Sequence, residues 1–153
     1  MKPKFNEKYK GIRCRVYLVR ENAKDEAINI NESSDVYKMV KDELVSSDRE
    51  RFLSVMLTSK NHLIGFETVS VGSISATIIT PRDVFKSAIL GNAVSIILCH
   101  NHPSGNLAPS NNDIEITKHL IEAGELLGVK VLDHLIISNQ GYKSLRDYCK
   151  FPD

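Results

Sequence analysis

The sequence predicts an α/β domain with a mixed β-sheet and helices packed against it. Residues 93–99 form a nearly all-apolar run, which suits a strand covered on both faces. Predicted helices alternate with strands in the middle of the chain, and strands cluster towards both ends, as in a mixed sheet. The 153 residues, 42% hydrophobic and 25% charged, fit one folded domain and exclude a disordered chain.

Residues 1–30 are predicted to form a basic extension that contains one strand. Residues 12–19 alternate between two faces, as a half-buried strand does. Residues 1–20 hold Glu7 as their one acid against seven lysines and arginines, although the formal net charge of the whole chain is only +1. This charge favours a solvated tail with an exposed strand face, and it leaves open an arm that makes a weak contact with DNA.

The folded domain is predicted to cover residues 31–150, and a short strand is expected just before it, at 27–30. Ser33 or Ser34 is expected to cap a helix over about 35–46. The apolar positions of this helix recur at helical spacing and predict its buried face: Val36, Tyr37, Val40 and Leu44.

A β-hairpin and a second helix are expected next. Residues 52–58 and 62–71 form two strands around a turn made of Ser59, Lys60 and Asn61. Thr80 is the predicted N-cap of the helix, Pro81 its first residue and Gly91 its end. Its apolar stripe comprises Val84, Phe85, Ala88 and Ile89.

The last third of the chain should place a polar loop, residues 100–109, between the buried strand and a long helix. Ser110 caps that helix over about 111–127, and Gly128 ends it. Its inward face is Ile116, Thr117, Leu120, Ile121, Gly124 and Leu127. The apolar stretches 129–132 and 135–138 are then either one bent strand or two.

The polar loop carries the residues that indicate chemistry. In extended backbone the side chains of residues i and i+2 point the same way, so His100 and His102 can aim both imidazoles at one metal ion. Asp113 lies in the first turn of the following helix, and the loop can bring that turn back beside the strand end. Two histidines and one aspartate leave a fourth tetrahedral position open, as catalytic zinc sites do.

Each of these residues has a simpler role when it is taken alone. A lone H-x-H is weak evidence for metal, Asp113 suits a capping box, and Ser110 suits an N-cap. Their joint placement at a strand end and the next helix start favours a site, because ligands of α/β sheets bind there.

The spacing His100-x-His102-Pro103-x6-Ser110-x-x-Asp113 resembles the core motif of the JAMM (MPN-type) metalloproteases. The wider stretch 99–138 resembles the RadC family in particular, and the resemblance covers roughly residues 35–147. It implies a cytidine-deaminase-like α/β core, zinc on the two histidines and the aspartate, and a serine beside the site. The basic N-terminus does not resemble the helix–hairpin–helix region of long RadC proteins.

The same resemblance implies an upstream catalytic glutamate, which we map to Glu67. The residues that share its strand face are mostly apolar: Leu63, Gly65, Val69 and Val71. A carboxylate there is either partly desolvated, with a raised pKa, or paired, and the former would suit a general base. The alternative is an edge-strand glutamate that faces water.

Other polar residues are given structural roles. Asp133 and His134 are predicted to be a hydrogen-bonded strand pair rather than a second metal site. Cys99 is predicted to be a core thiol, and His62 and His119 to be surface residues. The signature of zinc deaminases is absent from the sequence, which disfavours base deamination.

The three cysteines are widely spaced and fit free thiols in a reducing compartment. With no apolar signal segment in the first twenty residues, the sequence predicts a cytoplasmic protein.

These features together predict a zinc-dependent hydrolase, a metallopeptidase or isopeptidase that acts on a peptide or isopeptide through a zinc-activated water. Glu67 would be the base and Ser110 the oxyanion donor. Two alternatives stay open: a DNA-associated repair accessory protein or nuclease, and an inactive scaffold that keeps zinc.

Overall fold

A computed structural model describes residues 14–22, 26–74 and 78–153. The regular elements of this part of the chain follow in the order α1 (Ser33–Val45), β1 (Arg51–Leu57), β2 (Leu63–Val71), α2 (Pro81–Leu90), β3 (Ser95–Asn101), α3 (Asn111–Leu127), β4 (Lys130–Ser138) and β5 (Gly141–Ser144), and a 3-10 turn (Leu145–Asp147) closes the series. None of the described helices is long and apolar enough to cross a membrane.

The five strands form one mixed sheet in the order β2-β1-β3-β4-β5. Strands β3 and β4 are parallel and are joined by α3, whereas the other three pairs are antiparallel. The mixed α/β fold expected from the sequence is therefore confirmed, and so is the hairpin of β1 and β2.

Helices cover both faces of the sheet and create two apolar cores. The core around α1 takes Leu53, Ile97 and Leu135 from the sheet, and the core around α2 and α3 takes Phe52, Leu98 and Ile136 from the opposite face. Strand β3 lies between them, and all seven of its residues are buried. This two-sided burial explains why its sequence reads as an apolar run rather than an alternation.

The helices begin and end close to the predicted positions. Thr80 and Ser110 cap α2 and α3 as expected. Helix α1 starts earlier than predicted: its N-cap is Glu32, so Ser33 and Ser34 are already helical. Two residues assigned to inward faces, Ile89 and Leu127, are half exposed, at 51% and 45%.

Three predictions about strands are wrong in detail. The described part of the N-terminal strand, residues 14–19, has no strand structure, and the remainder lies outside the described residues. Residues 27–30 contribute a single bridge, from Asn29 to His62, instead of a strand. His100 and Asn101 were assigned to the loop, but both belong to β3, because β4 continues to pair with them.

Strand β4 is one strand with a bulge. The pairing with β3 passes from Ile96–Val131 to Ile97–Asp133, so Leu132 is the extra residue. A bulge shifts the alternation of the residues that follow by one position. As a result Asp133 lies on the α1 face, where it accepts a hydrogen bond from Ser33 at 2.6 Å, and the next side chain lies on the α3 face.

Candidate metal centre

His100 and His102 point to the same place, as their spacing predicts. His100 is fully buried within β3, and His102 follows the strand directly, with its N–H donating to the carbonyl of Ile137 at 3.0 Å. The backbone therefore stays extended through both residues. Their Nε2 atoms lie 3.0 Å apart.

The start of α3 brings Asp113 to these two rings. Asp113 and Ser110 form a capping box: Ser110 Oγ accepts from the Asp113 N–H at 3.1 Å, and Asp113 Oδ2 accepts from the Ser110 N–H at 2.8 Å. The carboxylate, 4% exposed, lies 3.3 Å from His100 Nε2 through Oδ1 and 3.3 Å from His102 Nε2 through Oδ2. Asp113 thus caps the helix and joins the cluster at the same time.

Among the described residues, His100, His102 and Asp113 form the group whose donor atoms could hold a metal ion. Zinc–ligand bonds of about 2.0–2.1 Å in a tetrahedron separate neighbouring donor atoms by roughly 3.3 Å. The two Nε2 atoms are 3.0 Å apart, and each lies 3.3 Å from a different oxygen of Asp113. With one ligand atom from each residue, the donor atoms lie within 4.8 Å of one another, so the three side chains are close enough to hold a small cation.

The hydrogen bonds of His102 also suit a metal ligand. Its Nδ1 lies 2.6 Å from the carbonyl oxygen of Asn106. A carbonyl accepts only, so Nδ1 carries a proton, and when the ring is neutral its lone pair is on Nε2, the atom that faces the cluster.

Charge within the cluster is balanced around the carboxylate. Burial raises the pKa of Asp113, but hydrogen bonds with His100 and His102 outweigh burial and hold this pKa well below its usual range. In the other direction, the hydrogen bond with Asp113 raises the pKa of His102, although burial opposes it. Without a metal ion, the cluster is therefore arranged to hold a proton in its place.

A third histidine, which the sequence interpretation did not connect with the site, lies behind His100. His134 Nε2 is 2.7 Å from His100 Nδ1, and its own Nδ1 is 2.6 Å from Thr117 Oγ1. His134 is fully buried, and burial with the nearby charge of His100 lowers its pKa well below the ordinary value. The ring is thus neutral and belongs to the support of the cluster.

Asp133 and His134 are hydrogen-bonded, as predicted, by the His134 N–H and Asp133 Oδ1 at 2.7 Å. Their side chains lie on opposite faces of the sheet. Asp133 also accepts from Ser144 Oγ at 2.7 Å and lies 3.7 Å from the guanidinium of Arg146. It joins α1 to the C-terminal segment and does not contribute to the histidine cluster.

The structure does not bring Glu67 to the cluster. Glu67 accepts a hydrogen bond from Ser87 of α2, so it is paired, which was one of its two expected environments. It is opposite Ser54 of β1, which in turn is opposite Leu98 of β3. Two strand spacings put the backbone of Glu67 roughly 10 Å from Leu98, and His100 is two residues further along β3.

Glu50 is a different carboxylate that lies close to the histidines. Its charge helps to raise the pKa of His102. The buried side chain of Asn101 holds both neighbours of Glu50: its Oδ1 accepts from the Arg51 N–H at 2.6 Å, and its Nδ2 donates to the Arg49 carbonyl at 2.9 Å. Asn101 lies between His100 and His102 in the sequence, so its hydrogen bonds hold Glu50 at the end of the sheet that carries the two histidines.

The remaining assignments agree with the structure, except that His62 was expected at the surface and is half-buried. Cys99 is buried in the α1-side core, and burial raises the pKa of its thiol. Cys14, Cys99 and Cys149 are free thiols. His119 is exposed and His62 half-buried. The Ser110 hydroxyl caps α3 through a lone pair, which leaves its proton available for another acceptor.

Comparison with known proteins agrees with this fold. Residues 30–150 match the family model described as RadC, RadC-like JAB domain. A UPF0758 protein of Desulfitobacterium hafniense is 45% identical over 118 residues, which are 77% of this chain and 52% of the relative. A UPF0758 protein of Caldanaerobacter subterraneus is 47% identical over 122 residues, 80% of this chain and 52% of the relative.

The chain therefore belongs to the RadC family and carries a RadC-like JAB domain. It spans about half the length of the curated relatives it matches. The names of these relatives state no activity.

We expect the purified protein to hold one metal ion per chain, and His100→Ala or His102→Ala to abolish it. His119→Ala is the matched control, because His119 lies on the exposed side of α3. Elemental analysis of the three variants gives the comparison. Full metal occupancy in either cluster variant would contradict the assignment.

Acid should release the same metal ion, because a histidine ligand must lose its proton to bind. The pKa of His102 is raised above the ordinary histidine value of about 6.5. Protons therefore begin to compete with the metal ion for this ring at a pH above about 6.5, and metal affinity falls as the pH decreases through that range. Chelator competition across a pH series measures this. An affinity that stays constant from pH 8 to about pH 5 would contradict the prediction.

Proposed function

We propose that this chain is a zinc-dependent hydrolase that cleaves an amide bond, as a metallopeptidase or isopeptidase. The observation that carries the proposal is the convergence of two imidazole nitrogens, 3.0 Å apart, on one carboxylate, with each nitrogen 3.3 Å from one of its oxygens. Two histidines and one carboxylate are a donor set typical of catalytic zinc, in which one position remains for a reactant. Membership of the RadC family supports the same interpretation.

A bound zinc ion supplies Lewis acidity, which makes water more acidic and polarises a carbonyl group. The protein then needs a carboxylate that takes the water proton and returns it to the leaving amine. We propose Glu50 for this step in preference to Glu67. Glu50 is held beside the histidines by Asn101, and the Ile74 N–H donates to its Oε2 at 3.1 Å and orients it. Glu67, in contrast, accepts a hydrogen bond from Ser87, and its strand β2 lies two strands away from the strand that carries His100.

Glu50→Gln and Glu67→Gln form a matched pair that tests the base. Both variants should keep their zinc, because neither residue belongs to the cluster. Glu50→Gln should lose at least the factor of 10²–10⁴ in rate that a general base contributes, and Glu67→Gln should stay close to the wild type. The measurement is turnover of a library of peptides and lysine-linked isopeptides, with and without chelator. If Glu67→Gln is the inactive variant, Glu67 is the base and our assignment is wrong.

Ser110 is proposed to donate its hydroxyl proton to the oxyanion that develops on the substrate carbonyl. Ser110→Gly separates this role from helix capping, because glycine at an N-cap costs only a few tenths of a kcal/mol relative to serine. We expect a loss of 10²–10³ in kcat with almost unchanged thermal stability and zinc content. An unchanged kcat would leave Ser110 with the capping role alone.

Peptides or isopeptides are the proposed substrates, and the three free thiols support a proposed cytoplasmic location. The DNA contact expected from the basic N-terminus concerns mostly residues 1–13, which lie outside the described residues, and it stays a prediction. The library experiment also decides the alternatives. Full zinc occupancy without turnover would favour an inactive scaffold, and zinc-dependent cleavage of DNA without amide turnover would favour a nuclease.

A further inference from the structure

We propose that the groove between α2 and α3 is the docking site for a second copy of this chain, and that two copies form a two-fold symmetric dimer through it. The groove lies at the C-terminal end of α3, whereas Asp113 of the metal centre lies at the start of the same helix. Along the helix, Leu126 is roughly 20 Å from Asp113, so the groove is distinct from the metal centre.

The groove has a volume of about 650 Å³ and a mostly apolar lining. Phe85 and Ile89 of α2 lie on one side of it, and Leu126 and Leu127 of α3 lie on the other. The two helices touch beneath it, because a Cβ on Gly124 would lie 3.2 Å from the ring of Phe85. The groove is therefore a depression with a floor, into which a side chain of a partner can insert.

The apolar side chains around this groove are unusually exposed. The exposed fraction is 89% for Leu126, 68% for Val16, 51% for Ile89 and 45% for Leu127. Single apolar residues scattered over a surface need no explanation, but a contiguous group around one groove marks an interaction site. The periodicity of the sequence assigns Ile89 and Leu127 to inward faces, and a partner in the groove would bury both of them as that periodicity requires.

The same surface carries both a depression and a projection, and this shape favours a second copy as the partner. Leu126 projects from the α3 side of the groove. A two-fold axis places the Leu126 side chain of each protomer in the groove of the other, because an isologous interface uses one surface twice. Each leucine then leaves water and contacts the partner's Phe85 and the partner's Ile89.

The charges beside the groove also match a second copy. Arg82 and Lys86, one turn apart on α2, line the groove, and within the described part of the chain neither forms an ion pair. Glu122 is exposed one turn before Leu126 on α3, and it too has no ion pair among the described residues. When the partner's Leu126 enters the groove, the partner's Glu122 comes close to Arg82 and Lys86. The symmetry repeats this attraction on the other side of the dimer axis.

The chain's own N-terminal segment is a poorer occupant of the groove. Residues 1–13, which lie outside the described residues, carry four lysines and one arginine against Glu7. Arg82 and Lys86 would repel a basic segment, whereas they attract the acidic side of α3. The charges therefore favour the second copy over this segment.

Sedimentation velocity of the whole 153-residue chain, from about 1 to about 200 µM, tests the proposal. We expect monomer and dimer in equilibrium, with a dimer fraction that rises with concentration. Leu126→Glu places a charge in each groove and should raise the dissociation constant at least ~100-fold. Its thermal stability should stay close to that of the wild type, because this side chain is already exposed in a single chain.

Val45→Glu is the matched control. Val45 is exposed in the last turn of α1, as Leu126 is in the last turn of α3, so both substitutions put an acid at the C-terminal end of a helix. Helix α1 covers the opposite face of the sheet from α2 and α3. Val45→Glu should therefore dimerise like the wild type.

The charged residues provide a second test that does not depend on the apolar contact. Glu122→Lys should raise the dissociation constant about tenfold, because it brings a third cation to Arg82 and Lys86. Combining it with Arg82→Glu and Lys86→Glu reverses both sides of the contact and should restore the constant to within about threefold of the wild type. Such compensation requires residues that meet across the interface.

A wild type that stays monomeric over the whole concentration range would overturn the proposal. A dimer that persists in Leu126→Glu, or a triple variant that does not recover, would overturn it as well. A monomeric wild type that dimerises once residues 1–13 are removed would assign the groove to that segment and reject the second copy. None of these measurements uses metal or substrate, so their outcome is independent of the proposed function.

Discussion

Three electron-pair donors lie very close to one another in this protein, and the rest of the site holds them there against the free-energy cost of their repulsion. His100 Nε2, His102 Nε2 and the carboxylate of Asp113 lie 3.0–3.3 Å from one another. Lone pairs on atoms this close repel one another. Such an arrangement is unfavourable unless a cation occupies the centre, and burial of His100 and Asp113 makes it more so. A cation at the centre, a proton or a metal ion, offsets this cost.

The sheet and its two cores hold the three donor atoms in place. His100 lies on the strand that is buried from both sides, so it cannot relax away from its neighbours. Asp113 is held by the capping box of α3, and the end of α3 packs closely against β4: a Cβ on Gly124 would lie 3.2 Å from the side chain of Val131 in β4 and 2.4 Å from the carbonyl of Val129 just before it. On the other face, Asp133 ties α1 to the C-terminal segment through Ser33 and Ser144.

The sequence was sufficient for the residues whose placement is local. Alternation places His100 and His102 on one side of an extended backbone, and capping chemistry places Asp113 at a helix start; both arguments hold over a few residues. The role of His134 depends on a one-residue bulge in β4, and the proximity of Glu50 depends on which strand pairs with β3. Neither is encoded in a short-range pattern.

Two expectations, the N-terminal strand and the surroundings of Glu67, depended on which strands are neighbours in the sheet. Residues 14–19 alternate like a strand, but alternation supplies no hydrogen-bonding partner, and the described structure gives them none in the sheet. Glu67 was assigned to a mostly apolar strand face, and that face does turn towards α2, where Ser87 pairs with it. What the pattern could not show is that its strand lies at the edge of the sheet, two positions from the histidines.

X-ray absorption at the zinc edge of the reconstituted protein tests the central claim most directly, because it reports the atoms that surround the metal. The account predicts four-coordinate zinc with two imidazoles and with oxygen completing the shell, at distances of about 2.0–2.1 Å. The Asp113→Asn protein should lose zinc or show an altered oxygen shell. A sulfur scatterer, a six-oxygen shell, or a spectrum unchanged by Asp113→Asn would contradict the claim that these three side chains hold the metal.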